Sequence, residues 1–322
     1  MTDLETFNFL NGELAEVEGL LTKLIAKRKS INDSSFIEEL MLHQKSMPER
    51  LIRFLNAFKY NEDGYGACLI KGINVDDSQI GPTPTQILTG NKYASREEIL
   101  LALIGSFLGD PIGWSSQRDG DLVNDIVPIK GSEHEQLSTG SVANLEWHVE
   151  EAFHPYRPDH LLLMCLRNPD RVETQVGSIG DIDLAPDMRK ILFSDRYTFL
   201  PDKNFSGGRF SKGSKVSVLF GNPGNPYLRI DPAFMVTDPS DSEARDALQE
   251  IVSQINNSLR ALVLEPGDCC ILDNYRVVHG RVGFKPRFDG TDRWLKRINI
   301  VRDLRKSSDV RPSCHSRILL TD

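Results

Sequence analysis

Asn144-Leu145-Glu146-Trp147-His148-Val149-Glu150 sets an imidazole and a carboxylate two residues apart among apolar neighbours. Side chains at i and i+2 of a strand leave the same face of a sheet. Read as extended chain, the stretch lets His148 and Glu150 grip one metal ion from one side. Two histidine nitrogens and one carboxylate oxygen on a single face, with the remaining positions open, suit non-haem Fe(II) and its oxygen chemistry. The second histidine must come from elsewhere.

Seven histidines are available. His134, His154 and His160 lie near the stretch, and His43 and His315 fall in helical or terminal contexts. His279 is in better company, after Asn274-Tyr275-Arg276-Val277-Val278 and before Gly280. That pattern reads as the end of a strand, where a jelly roll could complete a metal site across its two sheets. Arg293 follows fourteen residues later, in Asp292-Arg293-Trp294-Leu295-Lys296-Arg297. A strand returning past the metal could hold its guanidinium deeper than the ion, ready for a bidentate pair with one carboxylate of a small diacid. The plain alternative is a surface ion pair with Asp289 or Asp292.

The first part of the chain reads as helices. Leu10, Leu14, Val17, Leu20, Leu21, Leu24 and Ile25 recur at helical spacing. Ser35–Glu38 and Ser46–Glu49 read as capping boxes, the second opening a helix to about Phe58, and Ser95-Arg96-Glu97-Glu98 opens one through Leu108. Ala67–Ile73 reads as a strand and Asp76–Pro84 as a loop. Beyond Trp114 short strands and long loops take over: Leu122–Ile129, the His148 stretch, His160–Leu166, Lys215–Phe220, Pro226–Ile230, Leu262–Leu272 as strand, turn and strand, and Trp294–Arg302. Helices are expected at Ala185–Phe193 and Ser240–Arg260, and Phe205–Gly213 is glycine-rich enough to act as a lid. Helices first and strands later predict a single domain over 1–322, mostly β, with a double-stranded β-helix (jelly roll) core buttressed by α-helices and a mainly helical part over 1–110.

Composition excludes several function classes. A net charge of −8 leaves no basic stripe for a nucleic acid. The apolar runs Ile99–Leu108 and Leu161–Leu166 are too short to span a bilayer, and the acidic N-terminus lacks a signal pattern. Five cysteines without CxxC spacing indicate neither a zinc site nor a disulfide framework, which fits a reducing, cytoplasmic setting.

His148-x-Glu150, His279 and Arg293 together resemble the Fe(II)- and 2-oxoglutarate-dependent dioxygenases of the clavaminate-synthase-like branch. The nearest resemblance is to the free L-amino-acid hydroxylases that act on arginine and lysine. The matching text includes Gly113-Trp114-Ser115-Ser116-Gln117, His134-Glu135-Gln136, Trp147 to Phe153, Pro155-Tyr156-Arg157, Leu166 to Asp170, Leu228-Arg229-Ile230-Asp231, and nearly all of Asp273 to Leu304. The resemblance implies His148, Glu150 and His279 as iron ligands, and Arg293 with Thr174 as partners of the distal carboxylate of 2-oxoglutarate. It implies Arg297 for the substrate α-carboxylate, with Gln117, Glu150 and Ser138 toward the α-ammonium group. Asp231 and Asp202 would meet the substrate side chain. Related halogenases lack the carboxylate ligand, so Glu150 favours hydroxylation. Arginine hydroxylases of the family carry a second acid two residues after the position of Asp231, where this chain has Ala233. One acceptor fewer favours the compact ammonium of L-lysine, attacked at C3 or C4, over the planar guanidinium of L-arginine. L-Citrulline, L-ornithine and a same-site desaturase or cyclase remain alternatives. Iron, 2-oxoglutarate, oxygen and a free amino acid are the implied cofactors and partners.

Overall fold

Leu161, Leu163 and Cys165 leave one face of the strand His160–Arg167, while Leu162, Met164 and Leu166 leave the other, and all six are buried. A strand apolar on both faces needs a cover on each side. The computed structural model, which describes residues 4–87, 89–90, 92–200 and 215–321, supplies two different covers.

This strand lies inside an eight-stranded sheet. Its order is Glu5–Asn8, Ala67–Lys71, Cys269–Asp273, His160–Arg167, Trp294–Val301, Asp110–Trp114 and Ile318–Leu319, with Val123–Ile126 also paired to Trp294–Val301. On one face Leu162, Met164, Ile271, Ile298 and Ile300 pack with the helices Asn11–Ile25, Ser34–Leu42, Glu49–Tyr60 and Arg96–Ser106. On the other, Leu161, Leu163, Cys165, Leu272 and Leu295 meet Val176, Val277 and Leu264. Val176 and Val277 belong to a four-stranded antiparallel sheet, ordered Arg260–Val263, Glu173–Ser178, Val277–Arg281 and Leu145–His148. Its far face carries Val278, which packs with Ile251 and Ile255 of the helix Ser242–Ser258. Two sheets thus face one another over a thin apolar layer, each backed by helices.

The sequence-level expectations meet this architecture unevenly. The capping box at Ser95 forms, Ser95 Oγ accepting from Glu98 N–H (3.2 Å) and Glu98 Oε2 from Ser95 N–H (3.0 Å). The other two do not. Asp33 accepts from Ser35 N–H (2.8 Å), which puts Ser35 inside its helix. Pro48 occupies the N-cap of Glu49–Tyr60, and Ser46 ends a preceding 3₁₀ turn. The loop expected at Asp76–Pro84 contains a one-turn helix, Asp77–Ile80, capped by Asp76. The strand expected over Lys215–Phe220 is broken into Lys215–Val216 and Leu219–Asn222. His279 sits within the strand Val277–Arg281 and not at its end. Asp202 and the stretch Phe205–Gly213 lie outside the described residues.

Candidate metal centre and substrate cleft

Antiparallel register creates the centre. His279 is the direct cross-strand partner of His148, so both imidazoles rise from the same patch of the four-stranded sheet, ring centroids 4.7 Å apart. The strand Leu145–His148 ends there, and Glu150 follows in the turn. Asn274 fixes that turn by accepting from Glu150 N–H (2.7 Å) and donating to Glu150 C=O (2.9 Å). Nothing in the spacing singled out Asn274. Its signal was weak, a polar residue in a tight connection between two apolar strands.

His148, Glu150 and His279 each offer a ligand atom within 4.8 Å of the others. Glu150 Oε2 stands 3.8 Å from His148 Nε2 and 3.4 Å from His279 Nε2, buried and without a hydrogen-bond partner. His148 Nδ1 meets the Glu146 carbonyl at 2.8 Å. A carbonyl only accepts, so Nδ1 carries a proton, and Nε2 is the nitrogen turned toward the centre, able to ligate a metal that displaces its proton. Burial disfavours charge on both imidazoles. For His148 the Glu150 and Asp231 carboxylates outweigh burial and raise its pKa to about 9, whereas His279 stays below its ordinary value. Burial also opposes the Glu150 carboxylate, yet Arg297 and the two histidines hold it well below the usual range. An orphaned carboxylate oxygen facing two imidazole nitrogens is a donor set that fits Fe(II) with open positions left over.

Arg297 pairs through Nη1 with Glu150 Oε1. Both line a cleft of about 300 Å³, together with His148, His279, Gln117, Ser138, Asp231 and Ala233. Gln117 donates through Nε2 to Glu151 Oε1 at 2.5 Å. Glu151 was not anticipated, since nothing in the sequence placed Gln117 beside the turn after Glu150. Asp231 Oδ1 accepts from Ala233 N–H (3.1 Å), folding the loop back on itself.

Arg293 and Thr174 do not line that cleft. They are buried, 4% and 2% exposed, with Arg293 Nη2 donating to Thr174 Oγ1 at 3.1 Å. Burial alone pushes the Arg293 pKa down to about 10, and no carboxylate among the described residues pairs with it. The alternative of an ion pair with Asp289 or Asp292 does not hold. Asp292 accepts from the N–H groups of Arg287 and Phe288 (2.7 Å each), and Asp289 from Thr291. The structure therefore brings His148, Glu150, His279, Arg297, Gln117, Ser138 and Asp231 to one cleft, and pairs Arg293 with Thr174 outside its lining.

A family model described as taurine catabolism dioxygenase TauD, TfdA family, matches residues 204–299. The enduracididine beta-hydroxylase of Streptomyces hygroscopicus is 38% identical, over 98% of this chain and 99% of that protein. The L-ornithine/L-arginine 3-hydroxylase of Catenulispora acidiphila is 36% identical, over 94% and 96%, and an L-lysine 3-hydroxylase of the same organism is 32% identical, over 86% and 79%. Among solved structures, the non-heme iron oxygenase OrfP with Fe, succinate and (3S)-hydroxy-L-Arg superposes with a TM-score of 0.91 at 36% identity, covering 98% of this chain and 99% of that one.

Proposed function

The chain belongs to the TauD/TfdA family of iron- and 2-oxoglutarate-dependent oxygenases, and on that premise we propose that it hydroxylates a free basic L-amino acid at C3 or C4. The observation that carries this reading is the convergence of the His148, Glu150 and His279 donors and the Arg297 guanidinium on one cleft of about 300 Å³. Such a volume is at the small end for ligand sites, sized for a metabolite and not for a peptide.

In this reading the two facing sheets form a jelly roll within one domain spanning 1–322. His148, Glu150 and His279 hold Fe(II), and Arg293 with Thr174 takes the distal carboxylate of 2-oxoglutarate. Bound there, iron with 2-oxoglutarate and oxygen supplies an oxidant strong enough for an aliphatic C–H bond, the co-substrate leaving as succinate and carbon dioxide. The chain's own residues bind and orient. Arg297 takes the α-carboxylate, while Gln117, Glu150 and Ser138 accept from or face the α-ammonium. A peptide bond at either end would leave these groups unpaired, so free amino acids are selected. Asp231, with Asp202 beyond the described residues, faces the side chain. Anchors at both ends hold the middle carbons over the metal. The four buried unpaired cysteines support a reducing, cytoplasmic setting, and no helix among the described residues is long and apolar enough to cross a membrane.

Within the basic amino acids, Ala233 in the cleft lining supports an ω-ammonium side chain, L-lysine or L-ornithine. L-Arginine is the second reading, favoured by the 36% identical L-ornithine/L-arginine 3-hydroxylase. The deciding experiment incubates the protein with Fe(II), ascorbate and 2-oxoglutarate and each basic amino acid, read by product mass. A gain of one oxygen with stoichiometric succinate is expected. A loss of two hydrogens would replace hydroxylation by desaturation or cyclisation, and no product from any of them would overturn the substrate class. His279→Ala should abolish both Fe(II) binding and turnover.

A further inference from the structure

Resting on the reading that the cleft takes a free amino acid, we propose that Glu151 is a positioning residue that locks the Gln117 carboxamide with its oxygen toward the substrate α-ammonium group.

A glutamine side chain can present either its oxygen or its NH2 group to a ligand, and the two orientations differ only in their partners. Beside Glu151 the choice is forced. An ionised carboxylate only accepts, so the 2.5 Å contact to Glu151 Oε1 must be made by Gln117 Nε2. The amide oxygen is thereby turned away from Glu151, as an acceptor on the opposite edge. Both residues line the cleft beside Glu150. An ammonium group brings three donors and no acceptor, so an outward NH2 would repel it and an outward oxygen receives it.

The backbone on both sides of the contact is held in unusual conformations. Glu151 has φ of 52°, and Arg118 and Asp119, directly after Gln117, have φ of 51° and 54°. Non-glycine residues in the left-handed region cost about 1 kcal/mol each and persist where the surroundings impose them. Here the turn is closed by His154 N–H donating to Glu151 C=O at 2.9 Å, and it starts from the Glu150 backbone clamped by Asn274. The position of Glu151 is therefore inherited from the metal end of the site. The same short turn that presents Glu150 to the centre sets which way a glutamine on a different loop faces the substrate.

The test compares Glu151→Gln, Gln117→Glu and the double swap with the parent enzyme, loaded with Fe(II) and 2-oxoglutarate, on its best basic amino acid. In Glu151→Gln the new side chain can donate or accept, so the lock is lost. The amino acid KM should rise about tenfold, as for one hydrogen bond to a charged group, with kcat and the 2-oxoglutarate KM within about threefold of the parent. The amino acid Kd, measured anaerobically by calorimetry, should rise in parallel. The double swap puts a carboxylate at position 117, able to accept from both the carboxamide now at position 151 and the ammonium, and should recover the parent KM to within about threefold. Gln117→Glu alone, which sets two carboxylates against each other, should not recover it. An unchanged KM in Glu151→Gln, or a swap no better than the combined single losses, would overturn the inference while leaving amino acid hydroxylation standing. A parent enzyme inactive on every basic amino acid would overturn both.

Discussion

Lys296, within the strand Trp294–Val301, and Arg293, the residue just before it, lie three residues apart and both are buried, yet their surroundings are opposite. Lys296 faces the helices. Its Nζ donates to Glu98 Oε1 (2.8 Å) and Asp125 Oδ1 (2.7 Å), and Asp125 also accepts from Trp294 Nε1 (2.8 Å). Although burial works against every charge in this cluster, Lys296 stays above its ordinary pKa and Glu98 and Asp125 stay below theirs. Arg293 faces the second sheet and has one threonine hydroxyl. A buried cation surrounded by its own carboxylates is finished when the chain folds. One left with a single neutral partner is built for a ligand that brings the missing charge. The difference separates what fastens the strand from what the strand offers.

Replacing each cation by methionine is the most direct way to break this contrast. Arg293→Met should raise the KM for 2-oxoglutarate by about 100-fold, the loss of two charge-assisted hydrogen bonds at about 1.5 kcal/mol each. The amino acid KM should move little, and urea unfolding should show no loss of stability, because an orphaned buried charge is removed. Equal rises in both KM values would show that Arg293 serves the whole cleft and not one carboxylate.

Lys296→Met should do the reverse. Glu98 and Asp125 would remain buried without their main partner, costing about 3 kcal/mol in urea unfolding. Lys92, 3.3 Å from Glu98 and 3.8 Å from Asp125, limits the cost. Neither KM should change for the folded fraction. Adding Glu98→Gln and Asp125→Asn should restore much of the stability, since a buried ionic cluster removed as a set leaves no uncompensated charge.

These two residues also mark the reach of sequence reading, since only Arg293 was singled out. Arg293 drew attention because a motif sets it at a fixed distance from His279, and the structure buries it just before the strand Trp294–Val301, against Thr174. The metal donors were legible as a set, but not for the expected reason: the strand stops at His148, so a turn held by Asn274 and not strand alternation brings Glu150 to the centre, while cross-strand register makes His148 and His279 neighbours. The strands Glu5–Asn8 and Ile318–Leu319 were not legible, as each is short and held mainly by a parallel partner far away in sequence. The capping errors were local competition, with Asp33 reaching the helix start ahead of Ser35. Lys296 and its carboxylates were missed because Glu98, Asp125 and Lys296 meet only when a helix, an edge strand and a central strand assemble. The contact between Gln117 and Glu151 was missed likewise, since it joins two loops.

His160 could break the rule that an unpartnered buried group marks a site. It is fully buried, neither ring nitrogen has a partner, and it packs toward Phe58 on the helix side, ring centroids 6.1 Å apart. Burial, aided by Arg302 and Lys59, pushes its pKa down to about 3. It is therefore neutral at pH 7 and needs no counter-charge, which exempts it. The unfolded chain takes up a proton near pH 6.5 and the folded chain only near 3, so stability is fully present above about 6.5 and is lost as pH falls through that window. Between pH 7 and 5 the parent should lose about 2 kcal/mol more than His160→Phe. His154, pushed down to about 4 by burial, adds a similar slope to both proteins and cancels in the difference. Equal slopes would mean that His160 is charged in the fold and has found an anion.

The smallest expected effect lies at Ala233, where the contrast between finished and unfinished charge reaches the substrate itself. Asp231 is partly finished, because one carboxylate oxygen already accepts from Ala233 N–H in its own loop. A lone carboxylate suits a compact ammonium, whose three donors can turn to whatever acceptor is present, better than a planar guanidinium that needs acceptors at fixed angles. Ala233→Asp adds an acceptor in the same lining. It should raise kcat/KM for L-arginine relative to L-lysine by about fivefold, on the order of 1 kcal/mol for one exposed charged contact. If the ratio does not move, the side-chain preference is set elsewhere in the cleft, and Ala233 is only the residue that lets Asp231 close its turn.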